Sequence, residues 1–148
     1  MNLKYTILVV MLLLTMQLSA QNIQQTEVPA VVQNAVKIKY PTITDIKWKL
    51  KDGEYRAEFK IDKRGHDVWV DKSGNITKLK QDISKNDLPE IVKTKIASEF
   101  KNFTIDDADK IEKEGVIYYQ VKLKSGADER KVLLTSDGKI EKDKAKAE

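Results

Sequence analysis

Val28-Pro29-Ala30-Val31-Val32 returns as Leu88-Pro89-Glu90-Ile91-Val92, sixty positions on, and Tyr40 has its counterpart in Phe100 at the same spacing. Further out, Tyr55-x-Ala57-x-Phe59 matches Tyr119-x-Val121-x-Leu123, and Ser73-Gly74-x-Ile76 matches Asp137-Gly138-x-Ile140, now sixty-four apart. Four residues added in loops account for the drift. A period near 60 is longer than the unit of a helical solenoid and suits a duplicated small α+β module.

Each copy opens on a helical period. Val32, Ala35, Val36 and Tyr40 form one apolar stripe that ends before Pro41, with Pro29 placed where a missing N–H costs nothing. In the second copy Ile91, Val92, Lys95, Ile96 and Phe100 trace a similar stripe from Pro89 onward. The period then changes from 3.6 to 2. Ile46, Trp48 and Leu50 alternate with lysines, and Asp52-Gly53 signals a hairpin. Tyr55, Ala57, Phe59 and Ile61 alternate with charged residues, Asp62 to Gly65 reads as a turn, and Val68 and Val70 continue the apolar face. Ile76 starts a fourth strand. The second copy repeats this order through Tyr119, Val121, Leu123, Val132, Leu134 and Ile140. Its strand around Asp107 to Lys113 has ambiguous parity. Clean alternation marks antiparallel strands with one covered face.

Residues 1–20 read as a cleaved signal peptide: Lys4 supplies the positive start, Ile7 to Met16 is apolar apart from Thr15, and Leu18-Ser19-Ala20 precedes polar Gln21-Asn22. An apolar run this short predicts no stable membrane insertion after cleavage. The 148-residue chain has no cysteine, so an exported domain must hold together by packing, without disulfides or thiolate metal sites. Its 27 basic and 23 acidic residues alternate along the chain. Lysine supplies most of the positive charge, which speaks for a mixed-charge surface and against a nucleic-acid partner.

The runs Val28-Pro29-Ala30-Val31, Lys39-Tyr40-Pro41, Ile46-Lys47-Trp48, Asp52-Gly53-Glu54-Tyr55-x-Ala57-x-Phe59 and Val68-Trp69-Val70-Asp71-x-x-Gly74 resemble the exported PepSY-like, β-lactamase-inhibitor-like family of Bacteroidetes-type bacteria. Leu88-Pro89, Tyr118-Tyr119 and Asp137-Gly138-Lys139 resemble its second copy. The second copy departs at Phe103, where the first has a Pro-initiated turn, and at Lys110 or Ile111, one of which replaces Trp48 according to register. The resemblance implies two helix-plus-sheet repeats, export to the periplasm or exterior, and no enzymatic activity.

The chemistry in the chain is sparse. His66 is the only histidine and reads as a solvated turn residue, so neither a His-based triad nor a His-rich metal site can be assembled. Asp106, Asp107 and Asp109 and the turn from Asp71 to Asn75 lack calcium-loop spacing and read as turn and cap residues. No catalytic residue, metal site or cofactor is assigned.

Strand parity gives the sharper signal. If Val68 and Val70 face the helix, Trp69 faces away; the same reasoning turns Tyr118 and Leu133 outward. These three would lie among Lys47, Lys49, Arg56, Glu58, Lys60, Gln120 and Lys122. Large aromatics with a charged rim are the usual makeup of a recognition patch. The alternative is that lysine stems cover Trp69 and Tyr118 packs across strands.

The resulting expectation is an α+β protein of two tandem repeats, each one helix followed by a roughly four-stranded antiparallel sheet, the two modules sharing one extended antiparallel sheet with the helices on one face. Its divisions are a signal peptide at 1–20, a flexible leader at 21–27, a first repeat at 28–80, a linker at 81–87, a second repeat at 88–141 and a frayed charged tail at 142–148. Its expected role is a periplasmic or secreted, non-enzymatic module that binds a protein or peptide of the cell envelope through Trp69, Tyr118, Leu133, Arg56, Lys47 and Lys49, restraining a peptidase or hydrolase. An envelope sensor or small-ligand carrier with a pocket between the repeats is the competing reading.

Overall fold

The computed structural model describes residues 20–145. The signal-peptide assignment therefore lies outside the described residues except at Ala20, as do the last three residues of the tail. Strand β1 (Gln21–Ile23) leads through a 3-10 turn to helix α1 (Ala30–Lys39). Strands β2 (Lys47–Lys51), β3 (Glu54–Ile61), β4 (Arg64–Val70) and β5 (Ile76–Ile83) follow. A second 3-10 turn and helix α2 (Glu90–Glu99) precede β6 (Thr104–Lys113), β7 (Val116–Ser125), β8 (Asp128–Thr135) and β9 (Ile140–Ala145).

The α+β class and the sheet shared by both modules hold, but the sheet is larger than four strands per repeat. All strands pair in chain order into one nine-stranded antiparallel sheet. The reason lies in β5, which serves both repeats. Its first half closes the first repeat against β4, with Val68 opposite Leu79. Its second half pairs with β6, with Ile83 opposite Ala108. The linker expected at 81–87 is thus the end of β5 followed by the 3-10 turn Lys85–Asp87.

The flexible leader expected at 21–27 is likewise ordered. Gln21-Asn22-Ile23 is β1 and lies against Leu50, Lys49 and Trp48. It is the counterpart of Gln81-Asp82-Ile83, sixty positions on. Each helix is then introduced the same way: Gln24 N–H donates to Glu27 Oε2 at 2.7 Å, and Ser84 N–H donates to Asp87 Oδ2 at 3.2 Å. These carboxylates satisfy backbone donors that a turn start would otherwise leave open. The tail is also corrected. Lys142–Ala145 belong to β9, held along β8 with Leu133 opposite Lys142.

Both helices cover the same face of the sheet. The first core gathers Val28, Val32, Val36, Trp48, Ala57, Phe59, Val68 and Val70. The second gathers Leu88, Val92, Ile96, Phe100, Ala108, Val121, Leu123, Val132 and Leu134. Full burial of one such aliphatic side chain contributes about 1.5–3 kcal/mol relative to exposure, and with no disulfide these clusters carry the fold. Pairing also resolves the register of β6: Trp48 faces Ala57 as Ala108 faces Val121. Ala108, not Lys110 or Ile111, therefore replaces Trp48. A bulge between Ile105 and Asp107 shifts the parity of β6, which hid this alignment in the sequence.

His66 is corrected as well. It is 7% exposed, faces the helix side opposite Phe59, and stacks on that ring at 5.6 Å between centroids and 7° between planes. The turn before it is confined to Asp62 and Lys63, both at positive φ, so Arg64 and Gly65 already belong to β4.

Candidate functional site

Residues opposite in parity to the cores line the uncovered face of the sheet. Val68 and Val70 are fully buried, so the intervening Trp69 emerges on the other side, half-buried. Leu133 emerges in the same way between the buried Val132 and Leu134, and Tyr118 shares that face through its pairing with Thr135 and Ile111.

Antiparallel register arranges this face in rows that cross the strands. One row reads Lys49, Arg56, Trp69, Lys78, Lys113 from β2 to β6. The next reads Lys47, Glu58, Asp67, Lys80, Ile111, Tyr118, Thr135. The third contains Asp82, Asp109, Gln120, Leu133 and Lys142. Arg56, Lys49 and Trp69 are therefore brought together, with Lys47 on the adjacent row. Tyr118 and Leu133 are diagonal neighbours on adjoining strands. Trp69 stands three strands from Tyr118, about 14 Å at the usual strand spacing, so the expected patch is two clusters. Ile111, which sequence parity missed, completes the second beside Tyr118.

Trp69 is framed by cations. Lys78 Nζ lies 3.6 Å from the ring centroid and Arg56 Cζ 5.5 Å. Arg56 Nη2 and Lys49 Nζ both reach Glu58 Oε1, at 2.6 and 2.9 Å. Glu54 accepts the Thr77 hydroxyl. Burial pushes the Lys78 ammonium below its ordinary range; Glu54 opposes this, while Lys113 and Arg56 add to it. A cleft of about 390 Å³ opens beside the indole, with Lys49, Lys51, Glu54, Arg56 and Asp71 along it.

A polar network occupies the seam between the repeats. Asp109 is 5% exposed. Its Oδ2 accepts from Lys80 Nζ at 3.0 Å and Gln120 Nε2 at 3.1 Å, while its buried Oδ1 has no donor among the described residues. Asp82 stands directly opposite and accepts from Gly65 N–H at 2.8 Å. Burial pushes the Asp109 carboxyl up, Lys80 pulls it down, and Asp82 and Asp107 raise it further. The acidic run in β6 is thus not a set of turn and cap residues: Asp109 is buried in the network and Asp106 bridges to Lys122 and Lys124 at 3.4 and 3.0 Å. Among the described residues no group of three or more His, Asp or Glu side chains is placed to hold a metal ion. His66 Nδ1 lies 3.1 Å from the accepting Arg64 O, within its own strand.

A one-layer helix cover, a continuous antiparallel meander and an uncovered face carrying aromatic clusters define a tandem-repeat α+β scaffold with one sheet face that neither helix covers. The sequence profile described as "Putative beta-lactamase-inhibitor-like, PepSY-like" matches residues 15–78 and again 53–142. The chain belongs to this PepSY-like family. Among solved structures, a BLIP-like protein from Bacteroides fragilis is similar at 27% identity and TM-score 0.67, covering 79% of this chain and 85% of that one. A DUF2874 family protein from Bacteroides uniformis shares 21% identity at TM-score 0.73, covering 79% and 88%. A structure from Bacteroides eggerthii, described as "putative periplasmic proteins", shares 20% identity at TM-score 0.74 with the same coverage. A search of curated proteins returns no match.

Proposed function

We propose that this chain is an exported, non-enzymatic binding module that holds a protein or peptide partner on the uncovered face of its sheet, and that the partner is a peptidase or hydrolase which it restrains. The observation that carries this reading is the placement of Trp69, Tyr118, Leu133 and Ile111 on a face that neither helix covers. Half-buried aromatics surrounded by charged side chains supply anchors and a rim. The inhibitor-like family and the BLIP-like relative support the same reading, and the periplasmic description of a structural neighbour supports export. The single imidazole is stacked in a core, which supports a non-enzymatic role.

The carrier reading needs a pocket between the repeats. Four clefts among the described residues, of about 390 to 620 Å³, each draw their lining from one repeat.

The test is affinity capture from envelope extract with the mature protein, its Trp69→Ala form, and Ile38→Ser as a control on the helix side, where Ile38 is 82% exposed. Loss of a specific partner with Trp69→Ala alone is the expected result. Identical partners from all three baits would sink the open-face reading.

A further inference from the structure

The row through Trp69 is unusual in sign. Lys49, Arg56, Lys78 and Lys113 follow one another across β2, β3, β5 and β6, interrupted only by the indole on β4. Cross-strand like charges oppose folding unless something offsets them. Glu58, on the adjoining row, serves Lys49 and Arg56 together. No carboxylate among the described residues lies within ion-pair distance of Lys78 or Lys113, and these two stand directly opposite each other. Lys78 is drawn over the Trp69 ring instead, an arrangement that holds a cation on an aromatic face with no carboxylate in direct ion-pair contact among the described residues.

We infer that this row is the docking site for an acidic segment of the protein partner, whose carboxylate enters between Lys78 and Lys113 while an apolar neighbour lies along Trp69. The inference rests on the open-face reading and adds the chemistry of the partner. Charge complementarity selects this occupant: a carboxylate placed there relieves the repulsion between the two lysines and meets a partly desolvated ammonium, where a charge-assisted hydrogen bond is strong. The flanking rows restrict its length. Glu54 lies on one side, and Glu58 and Asp67 on the other. A uniform polyanion would run into these carboxylates, whereas a polypeptide can place a single acid between them. The cleft beside Trp69 gives the neighbouring side chain room.

The probe is a short fluorescein-labelled peptide of alternating Glu and Tyr, with the matching Lys-Tyr peptide and inorganic polyphosphate as comparisons. Binding is read by anisotropy at low ionic strength and located through the indole N–H resonance of Trp69, assigned by its disappearance in Trp69→Phe. The Glu-Tyr peptide is expected to bind, to shift Trp69 while leaving Trp48 unmoved, and to weaken about tenfold in Lys78→Gln/Lys113→Glu. Both substitutions are on the uncovered face, and a circular dichroism melt checks that the fold persists. Absence of Glu-Tyr binding, equal binding of the Lys-Tyr peptide, an unchanged affinity in the double variant, or tighter binding of polyphosphate than of the peptide would each overturn the inference. The partner captured from envelope extract separates the two levels. If it is lost with Trp69→Ala but kept by Lys78→Gln/Lys113→Glu, the open-face reading stands and the acidic-segment inference falls.

Discussion

In the first repeat Tyr40, Phe59 and His66 form an aromatic triplet, with centroids 4.9 Å apart for Tyr40 and Phe59. The same three positions of the second repeat hold Phe100, Leu123 and Arg130. There Arg130 Cζ lies 5.5 Å from the Phe100 ring and its guanidinium grips Asp143 through two hydrogen bonds, at 3.0 and 2.6 Å. The difference follows from place in the sheet. His66 is on β4, whose neighbour β5 continues beneath the second repeat; Arg130 is on β8, one strand from the edge, where β9 ends. A mid-sheet position demands a side chain that can be buried, and a near-edge position admits a charge that stays in water. Duplication copied a module, and its two surroundings then required different residues.

Trp48 and Ala108 sharpen that comparison most. Trp48 faces the small Ala57, and Ala108 faces the larger Val121, so volume is traded across the strand pair. Trp48→Ala should remove about 3–5 kcal/mol of stability, the usual cost of deleting a buried aromatic. Trp48→Phe should cost less than half as much, because Trp48 Nε1 is buried without an acceptor among the described residues and its removal breaks no hydrogen bond. Urea unfolding measures both. Amide exchange in Trp48→Ala asks a further question, since the shared β5 predicts that the two repeats open together. Full protection of α2 and β7 while α1 and β3 exchange freely would break the single-unit picture.

Glycines 74 and 138 are the next pair. Each has φ near +85° and lies under the first turn of its own helix. A Cβ at Gly74 would stand 2.7 Å from Val31 Cγ2 and 3.0 Å from Val31 O; at Gly138 the corresponding approaches to Ile91 are 3.2 Å. The left-handed backbone costs an alanine about 1–2 kcal/mol in either place, and overpacking adds to it. Gly74→Ala should therefore lose about 3 kcal/mol and Gly138→Ala about 2. Val31→Ala in the Gly74→Ala background should restore part of the loss. Equal melting temperatures for the two single variants would show that Val31 moves aside freely.

These positions also show what was readable beforehand. The alternating strands were legible because one face is covered and the other is wet. Gly74-x-Ile76 and Gly138-x-Ile140 were legible as equivalents, and so was the outward direction of Trp69, Tyr118 and Leu133. Three things were not. Gln21-Asn22-Ile23 is too short to show a period, and only its pairing with β2 makes it a strand. The bulge at Asp106 puts Ile105 and Ala108 on one face at a spacing of three, which alternation cannot reveal, and it concealed both the Trp48 to Ala108 equivalence and the burial of Asp109. His66 looked like a turn residue because two non-glycine residues, Asp62 and Lys63, adopt positive φ and make the turn shorter than its composition suggested. The cation row was hidden for a different reason: it joins five strands, and register is a property of pairing.

The seam offers a smaller effect with a defined pH sign. In the first repeat the pair opposite one another is Asn22 and Lys49; in the second it is Asp82 and Asp109. The folded-state Asp109 carboxyl is raised, by burial first and by its acidic neighbours after it. Its contribution is therefore full below the unfolded value, about pH 4, and is lost as pH rises through the folded value. Asp82→Asn places an amide donor opposite the orphan Oδ1 and restores the residue type of the first repeat. It should raise stability at pH 7 by about 1 kcal/mol and flatten the pH profile above pH 4, measured by urea midpoints across pH. An unchanged profile would show that burial and Lys80, without Asp82, set the behaviour of Asp109.

Trp69 and Leu133 are equivalent positions with the least at stake for the fold. Each sits on the uncovered face, and Trp69 is held chiefly by Arg56 and Lys78. Trp69→Ala forfeits those ring contacts, about 1 kcal/mol in total at a partly exposed site, and Leu133→Ala should cost a similar amount. Val68→Ala, one residue away and fully buried, should cost more than either. Thermal melts of the three variants order them. If Trp69→Ala lost as much as Val68→Ala, the indole would belong to the scaffold, and the open face would have to recognise its partner through Tyr118, Ile111 and Leu133 alone. A small loss places Trp69 outside the structural requirement, so that its size and its company of cations need an explanation in binding.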